Sequence, residues 1–382
     1  MTVATHPIHT NSAAPNTTTP KATRGWRVID TGLRRAAENI AINRAMLEAH
    51  QAGEIPHTLR FLQFQPSALI GFHQSVAQEL REDYCAEHNI AIQRRITGGG
   101  AIYFDPTQIG WELYVDRQFL GTTDMEVIAE RICEAAVQGI SALGVDARYR
   151  PRNDIEVEGK KISGTGGAFD GNSILYQGTL LIEFDIESML RVLRIPAEKL
   201  ADKAIASARE RVTNLKDLLG YVPDMGQVKQ SLSTAFQRDF GVTFETVQEL
   251  TSTEQHRLQR ALEDIDTPGW VYQFDAARDD TPVVEAMHRC AGGTLRASLH
   301  IDTAKQRIKQ AWITGDFFVN PRRMVIDLEA ALRNCAFKNV ISTIDDFFAD
   351  YHVEMLLLTK TDFIQLIDNA LGLVQPNDLQ PA

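Results

Sequence analysis

Two guanidinium groups, a hydroxyl and three consecutive glycines stand together in RRITGGGAIYF, from Arg94 to Phe104, at the head of an apolar run. A glycine-rich loop exposes N–H groups that can cradle an anion, and neighbouring arginines add charge-assisted hydrogen bonds. The spacing matches neither G-x-G-x-x-G nor G-x-x-x-x-G-K-[ST], the two common nucleotide fingerprints. A second cluster, RNDIEVEGKKISGTGGAF from Arg152 to Phe169, carries an Asn-Asp pair and a lysine directly ahead of Ile162-Ser163-Gly164. A third, EKLADKAIASARERVTNL from Glu198 to Leu215, places Lys203, Arg209 and Arg211 before Val-Thr-Asn-Leu. Taken singly, each has an ordinary structural reading: a tight turn, a solvated hairpin lysine, an exposed charged helix face.

The elements that must hold these clusters alternate between helix and strand. WRVIDTG opens the structured region near Trp26, and Leu33, Ala36, Ala37, Ile40 and Leu47 then fall on one face of a helix. LRFLQF and ALIGF read as strands separated by Pro66, and AIYF and WELYV as strands after the glycines. A helix capped by Asp124 follows, with Met125, Ile128, Ile132, Ala136 and Ile140 on one face and Cys133 buried within it. DIEVEGKKISG reads as a hairpin turning at Gly159, and SILYQGTLLIEF as an alternating strand. Gly178 in that strand implies a backbone or a ligand pressing close. A helix is expected at 226 to 238, and a boundary at TPGWVY, 267 to 272. Beyond it, TLRASLHID and QRIKQAWIT form a hairpin, and helices are expected at 324 to 335, 342 to 350 and 361 to 370.

The 382 residues exceed what one core usually supports, so a large domain plus a smaller one is expected. A net charge of -11 repels polyanions and argues against a nucleic-acid partner. No run is long and apolar enough to span a bilayer. The four cysteines form no C-x-x-C pair, which suits a reducing, cytoplasmic setting rather than a disulfide framework or a zinc knuckle. Residues 1–24 lack acidic groups and read as a flexible tail.

The three clusters together, in this order and at these distances, resemble the lipoate-protein ligase family. RRITGGGAIY is similar to the family's RRxSGGGAV, RNDIEVEGKKISG to its RND and K-V/I-S-G hairpin, YQGTLL to its HGTLL strand, and ARERVTNL to its adenylate-loop region. The likeness covers about residues 26 to 250. It implies an α/β (α+β) catalytic domain of the biotin/lipoate ligase type over 25–275, with a smaller accessory domain over 276–382. It also implies a reaction in two steps. Lipoate attacks ATP to give lipoyl-AMP, and the lysine of an acceptor carrier then expels AMP. Expected acceptors are the E2 subunits of 2-oxoacid dehydrogenases, a glycine-cleavage H-like protein, or a related carrier.

Carried over to this chain, Lys161 is the expected catalytic residue, bridging the reacting carboxylate and the α-phosphate. Arg95, Thr97, Gly98, Gly99, Gly100, Ala101, Ile102 and Tyr103 are expected at the nucleotide and acyl-adenylate. Asn153 and Asp154 are expected near the nucleotide, with Asp154 on Mg²⁺. Gly178 and Thr179 are expected along the acyl tunnel, with Ile70, Gly71 and Phe72 as its wall. Lys160 should point to the opposite side from Lys161. Phe104 and the Tyr176-Gln177 pair replace histidines usual in the family, which bears on acyl recognition and on the acceptor served. The alternatives are an octanoyl or lipoyl transferase working from carrier-bound or pre-activated acyl groups, and a non-catalytic protein that binds lipoyl domains. A cysteine-dependent transferase would carry its thiol shortly before the lysine hairpin, where RYRPRND has none. A biotin-protein ligase would carry a GRGRxGR-like loop in place of RRITGGG.

Overall fold

A computed structural model of the chain describes residues 25–151, 153–194, 209–275 and 283–374. The expected tail, Arg152, Lys203 and most of the third cluster lie outside the described residues. The central element is an eight-stranded mixed sheet with strands in the order Glu245–Val247, Trp26–Arg34, His57–Phe64, Gln108–Asp116, Ser173–Leu181, Lys160–Asp170, Asp154–Val157, Ala147–Arg150. The strand Trp26–Arg34 runs parallel to His57–Phe64 because helix Ala36–Gln51 carries the chain back between them. From His57–Phe64 onward, each neighbour pairs antiparallel.

Alternation along these strands divides two cores. Ile109, Trp111, Leu113 and Val115 join a cluster covered by helices Met125–Ser141 and Met225–Phe240. Asp124 caps the first of these as expected, accepting the N–H groups of Glu126 and Val127. Leu62, Phe64, Tyr114 and Leu175 face the other way, toward helices Ala36–Gln51 and Ser252–Ile265. Over this second face lies a smaller sheet of Ala91–Arg94, Ser67–Ile70 and Ile102–Phe104. Leu33, expected on the first helix, sits instead in the opening strand and is 51% exposed. TPGWVY is no plain boundary either: it forms the short helix Pro268–Val271, whose Val271 packs under the small sheet. Among the described residues no helix is long and apolar enough to cross a membrane.

The residues from Val283 onward close a core of their own. Strands Val283–Cys290, Gly293–Asp302, Arg307–Gly315 and Cys335–Ala336 carry helices Met324–Leu332, Val340–Asp350 and Lys360–Leu371 on one face. Val283–Cys290 carries no clean strand signal in the sequence, because apolar Val283 and Met287 fall on its outward face and His288 on its inward one.

This C-terminal unit is docked tightly on the sheet that carries the glycines. Gly315 donates its N–H to the carbonyl of His73 at 3.1 Å. Arg322 donates to the carbonyl of Ile96 at 2.7 Å and stacks on Phe72. Arg296 pairs with Glu79 at 2.7 Å, and Arg117 with Glu354. Phe317 stacks on the His73 ring at 5.0 Å, with 17° between the planes. Neither nitrogen of His73 has a hydrogen-bond partner among the described residues. Burial, then Arg322 and Arg94, pushes the imidazole down to about 3.

The seam is therefore pH-sensitive. Between about pH 6.5 and 3 the unfolded His73 binds a proton that the folded one refuses, so stability falls as pH falls through that window. His73→Phe should flatten the dependence, removing a loss on the order of 2 kcal/mol between pH 7 and 5. Denaturant titrations of both proteins across that range check this, and parallel pH profiles would exclude His73 as the cause.

Candidate active site

Between the eight-stranded sheet and the small sheet lies a cavity of about 350 Å³. Lys161 stands on its wall, and the register of its strand explains how. The pairing of Asp154–Val157 with Lys160–Asp170 slips between Ile155 and Glu156, a bulge of the kind that re-aims a side chain. On its other edge Lys161 is held by main chain: its N–H donates to Arg211 at 2.8 Å, and its carbonyl accepts from Thr213 at 2.9 Å. Its Nζ meets Asp154 Oδ1 at 2.7 Å. Gly164 leaves the room, since a Cβ there would lie 2.8 Å from Nζ. Lys160 faces away, into a separate polar cleft with Arg209, Glu183 and Asp185.

Asp154 holds two cations, for its Oδ2 accepts from Arg150 at 2.6 Å. Burial raises its carboxyl pKa, but Lys161 and Arg150 outweigh that and hold it below the usual carboxylate range. The carboxylate thus faces a cation on each oxygen, Lys161 at Oδ1 and Arg150 at Oδ2. Its arrangement suits fixing the lysine amine. Asn153 is tied to Thr165, donating to its carbonyl at 3.2 Å.

The glycine loop is braced from inside by Arg95. This guanidinium donates to Thr97 Oγ1 at 3.3 Å and to the carbonyls of Leu69, Gly98 and Gly100 at 3.0, 3.1 and 2.9 Å. That occupies all but one of its N–H donors, so loop support takes most of the capacity expected for phosphate. Burial lowers its pKa to about 10, which leaves it cationic at neutral pH. Arg94 spends its donors on main-chain carbonyls, among them Phe72 at 2.8 Å and Val271 at 2.6 Å. Gln177, where the family histidine would stand, donates to Thr97 Oγ1 at 3.2 Å.

Gly98, Gly99, Gly100, Ala101, Ile102 and Tyr103 all border the cavity, as do Thr97, Gly178 and Thr179. The reason for the glycines is different from the one expected. A Cβ on Gly98 would lie 2.4 Å from the carbonyl of Phe317, and one on Gly99 or Gly166 would lie 3.0 Å from the Phe318 ring. The bare side of the loop receives the C-terminal unit, and its other side borders the cavity. Gly178 is explained likewise: its missing side chain makes way for the Trp111 indole, 2.3 Å from where a Cβ would stand, and not for a ligand.

The inner end of the cavity is an apolar slot of Ile40, Leu62, Phe64, Leu69 and Phe104. Ile70, Gly71 and Phe72 are not part of it. Strand alternation turns Ile70 to the opposite face from Leu69, and Phe72 packs on Trp270 and Phe274. The slot ends on polar groups that the sequence did not single out. Glu112 is buried, pairs with Arg60 at 2.9 Å and accepts from Asn43 at 2.6 Å. Alternation opposite Trp111 was the available signal for Glu112. Asp316, from the C-terminal unit, completes the wall near Gly100.

A cationic amine beside an apolar slot suits a substrate with an anionic head and an aliphatic tail. Residues 35–237 match the lipoyl protein ligase A/B catalytic domain, and the chain belongs to that family. It is 28% identical to the octanoyltransferase LipM of Kyrpidia tusciae over 272 residues, covering 65% of this chain and 98% of that protein. It is 29% identical to lipoate–protein ligase 1 of Staphylococcus aureus, covering 71% of this chain and 78% of that one. The structure of a bi-partite lipoate protein ligase from Thermoplasma acidophilum, described with its E2 lipoyl domain, superposes with a TM-score of 0.58 at 26% identity, over 67% of this chain and 99% of that one. The protein is thus an enzyme of the lipoate ligase and octanoyltransferase family, with the mixed α/β fold expected.

Gly164→Ala tests the placement of Lys161. The substitution should melt close to the parent and lose about tenfold to a hundredfold of carrier acylation, because the new methyl group displaces Nζ from Asp154. Parent-like turnover would mean that the amine moves aside without consequence.

Proposed function

We propose that the protein is an ATP-dependent lipoate–protein ligase, which forms lipoyl-AMP and passes the acyl group to a lysine of a lipoyl carrier domain. The observation that carries this reading is the lack of a usable thiol. None of the four cysteines lines the cavity. Cys133, beneath its floor, is buried against Thr165 and Tyr176, and burial pushes its thiol up to about 11. A transferase working through a thioester needs a thiolate at the acyl carbon, and this arrangement offers an amine instead.

The amine can act without covalent chemistry. A carboxylate and a polyphosphate repel, and a fixed cation in a partly enclosed site lowers the cost of bringing them together. Lys161, held by Asp154, would contact the lipoate carboxylate oxygen and the α-phosphate, and would neutralise charge on both as the mixed anhydride forms. The N–H groups of Gly98 to Tyr103 and the hydroxyl of Thr97 would position the adenylate. The slot from Ile40 to Phe104 would take the lipoyl chain, at about 0.8 kcal/mol per buried methylene. ATP would arrive as its Mg²⁺ complex. The carrier's acceptor lysine would enter from the mouth of the cavity.

Lys161→Ala should keep its melting temperature and lose lipoate-dependent exchange of pyrophosphate into ATP by on the order of a hundredfold to a thousandfold. If the parent shows no exchange but moves octanoate between carriers, the protein is a transferase and the ligase assignment fails.

A further inference from the structure

The cavity wall carries one charge that the activation step does not call for. Its charged residues are Arg95, Lys161, Glu112, Asp154 and Asp316. Glu112 is neutralised by Arg60, and Asp154 by Lys161 and Arg150. Asp316 has no ion-pair partner among the described residues. A lone carboxylate beside a loop that borders an anion site repels the nucleotide, so it needs a cationic visitor to justify it.

Asp316 is also built to stay where it is. It comes from the C-terminal unit, at the end of strand Arg307–Gly315. Its N–H donates to the carbonyl of Thr294 at 3.1 Å, and its Oδ1 accepts the N–H of Thr294. The residue before it can only be glycine: Gly315 has a φ of +156°, and a Cβ there would lie 2.1 Å from the Thr294 carbonyl. Phe317 and Phe318 pin the next two positions against Gly98, Gly99 and Gly166. Oδ2 is left facing the open side of Gly100, 4.0 Å from where a Cβ would stand. Glu79 lies behind it, paired with Arg296 and so adding no free charge of its own.

We propose that Asp316 receives the ε-ammonium of the acceptor lysine and takes its first proton during acyl transfer. This rests on the ligase reading above. The amine nitrogen then forms the C–N bond at the adenylate carbonyl. The second proton leaves to solvent as the tetrahedral adduct collapses, and the C–O bond to AMP breaks with its electron pair on the phosphate.

The test starts from preformed lipoyl-AMP, so it remains readable even if pyrophosphate exchange fails in the parent. Transfer is measured to an apo lipoyl domain and, separately, to hydroxylamine, which is already neutral at the assay pH and needs no base. In Asp316→Asn, transfer to lysine should fall about a hundredfold, with a loss to hydroxylamine at least tenfold smaller. Asp316→Glu, which keeps the charge, should recover part of the lysine reaction and guards against a folding artefact. Equal losses with both nucleophiles would overturn the proposal. So would a defect confined to pyrophosphate exchange and relieved by excess magnesium, which would assign the carboxylate to the nucleotide's metal.

Discussion

The cavity is organised around one ammonium group, that of Lys161, held on its wall by a counter-charge. Left to itself, a hairpin lysine spends its time in water, because its charge is strongly hydrated and its four-carbon stem is flexible. Three features remove that freedom here. A bulge aims the stem inward, the segment Arg211 to Thr213 fixes its main chain, and Asp154 supplies a counter-charge at 2.7 Å. Asp154 is in turn anchored by Arg150, so the position of Nζ is settled by a chain of charges rather than by packing. The side chain is still 35% exposed, which leaves it reachable by a substrate.

The second constraint is the glycine loop, which serves two surfaces at once. Arg95 holds its carbonyls from one side, while Phe317 and Phe318 fill the room its absent side chains leave on the other. A buried guanidinium is costly unless its donors are satisfied, and here the Thr97 hydroxyl and the carbonyls of Leu69, Gly98 and Gly100 satisfy them. The arginine and the glycines therefore explain each other. An arginine without the loop would be an unpaired buried charge, and the loop without the arginine would leave its carbonyls pointing into a dry interior.

Much of this was legible in the residues, and the parts that were not share a cause. Alternation put Lys160 and Lys161 on opposite faces, and the helix capped by Asp124 formed where its pattern predicts. Alternation does not place Ile70 and Phe72, expected on the tunnel wall, because the small sheet buries both faces and an apolar run then carries no sign of which face meets the cavity. The loop was legible as special but not for what fills it, since Phe318 lies far along the chain. Nothing in Thr314-Gly315-Asp316-Phe317-Phe318 marks a segment that will return to the cavity. Local pattern reports what a residue can do, whereas its partner is set by the topology of both sheets.

The loop between the cavity and the C-terminal unit is a single layer of main chain, with phenylalanine on one side and substrate space on the other. That partition cannot be carved back to admit a bulkier acid, for it has no side chains left to trim. Any widening must come from the opposite wall, at Leu62, Phe64 or Phe104, where shortening a residue yields volume without parting the two halves of the molecule.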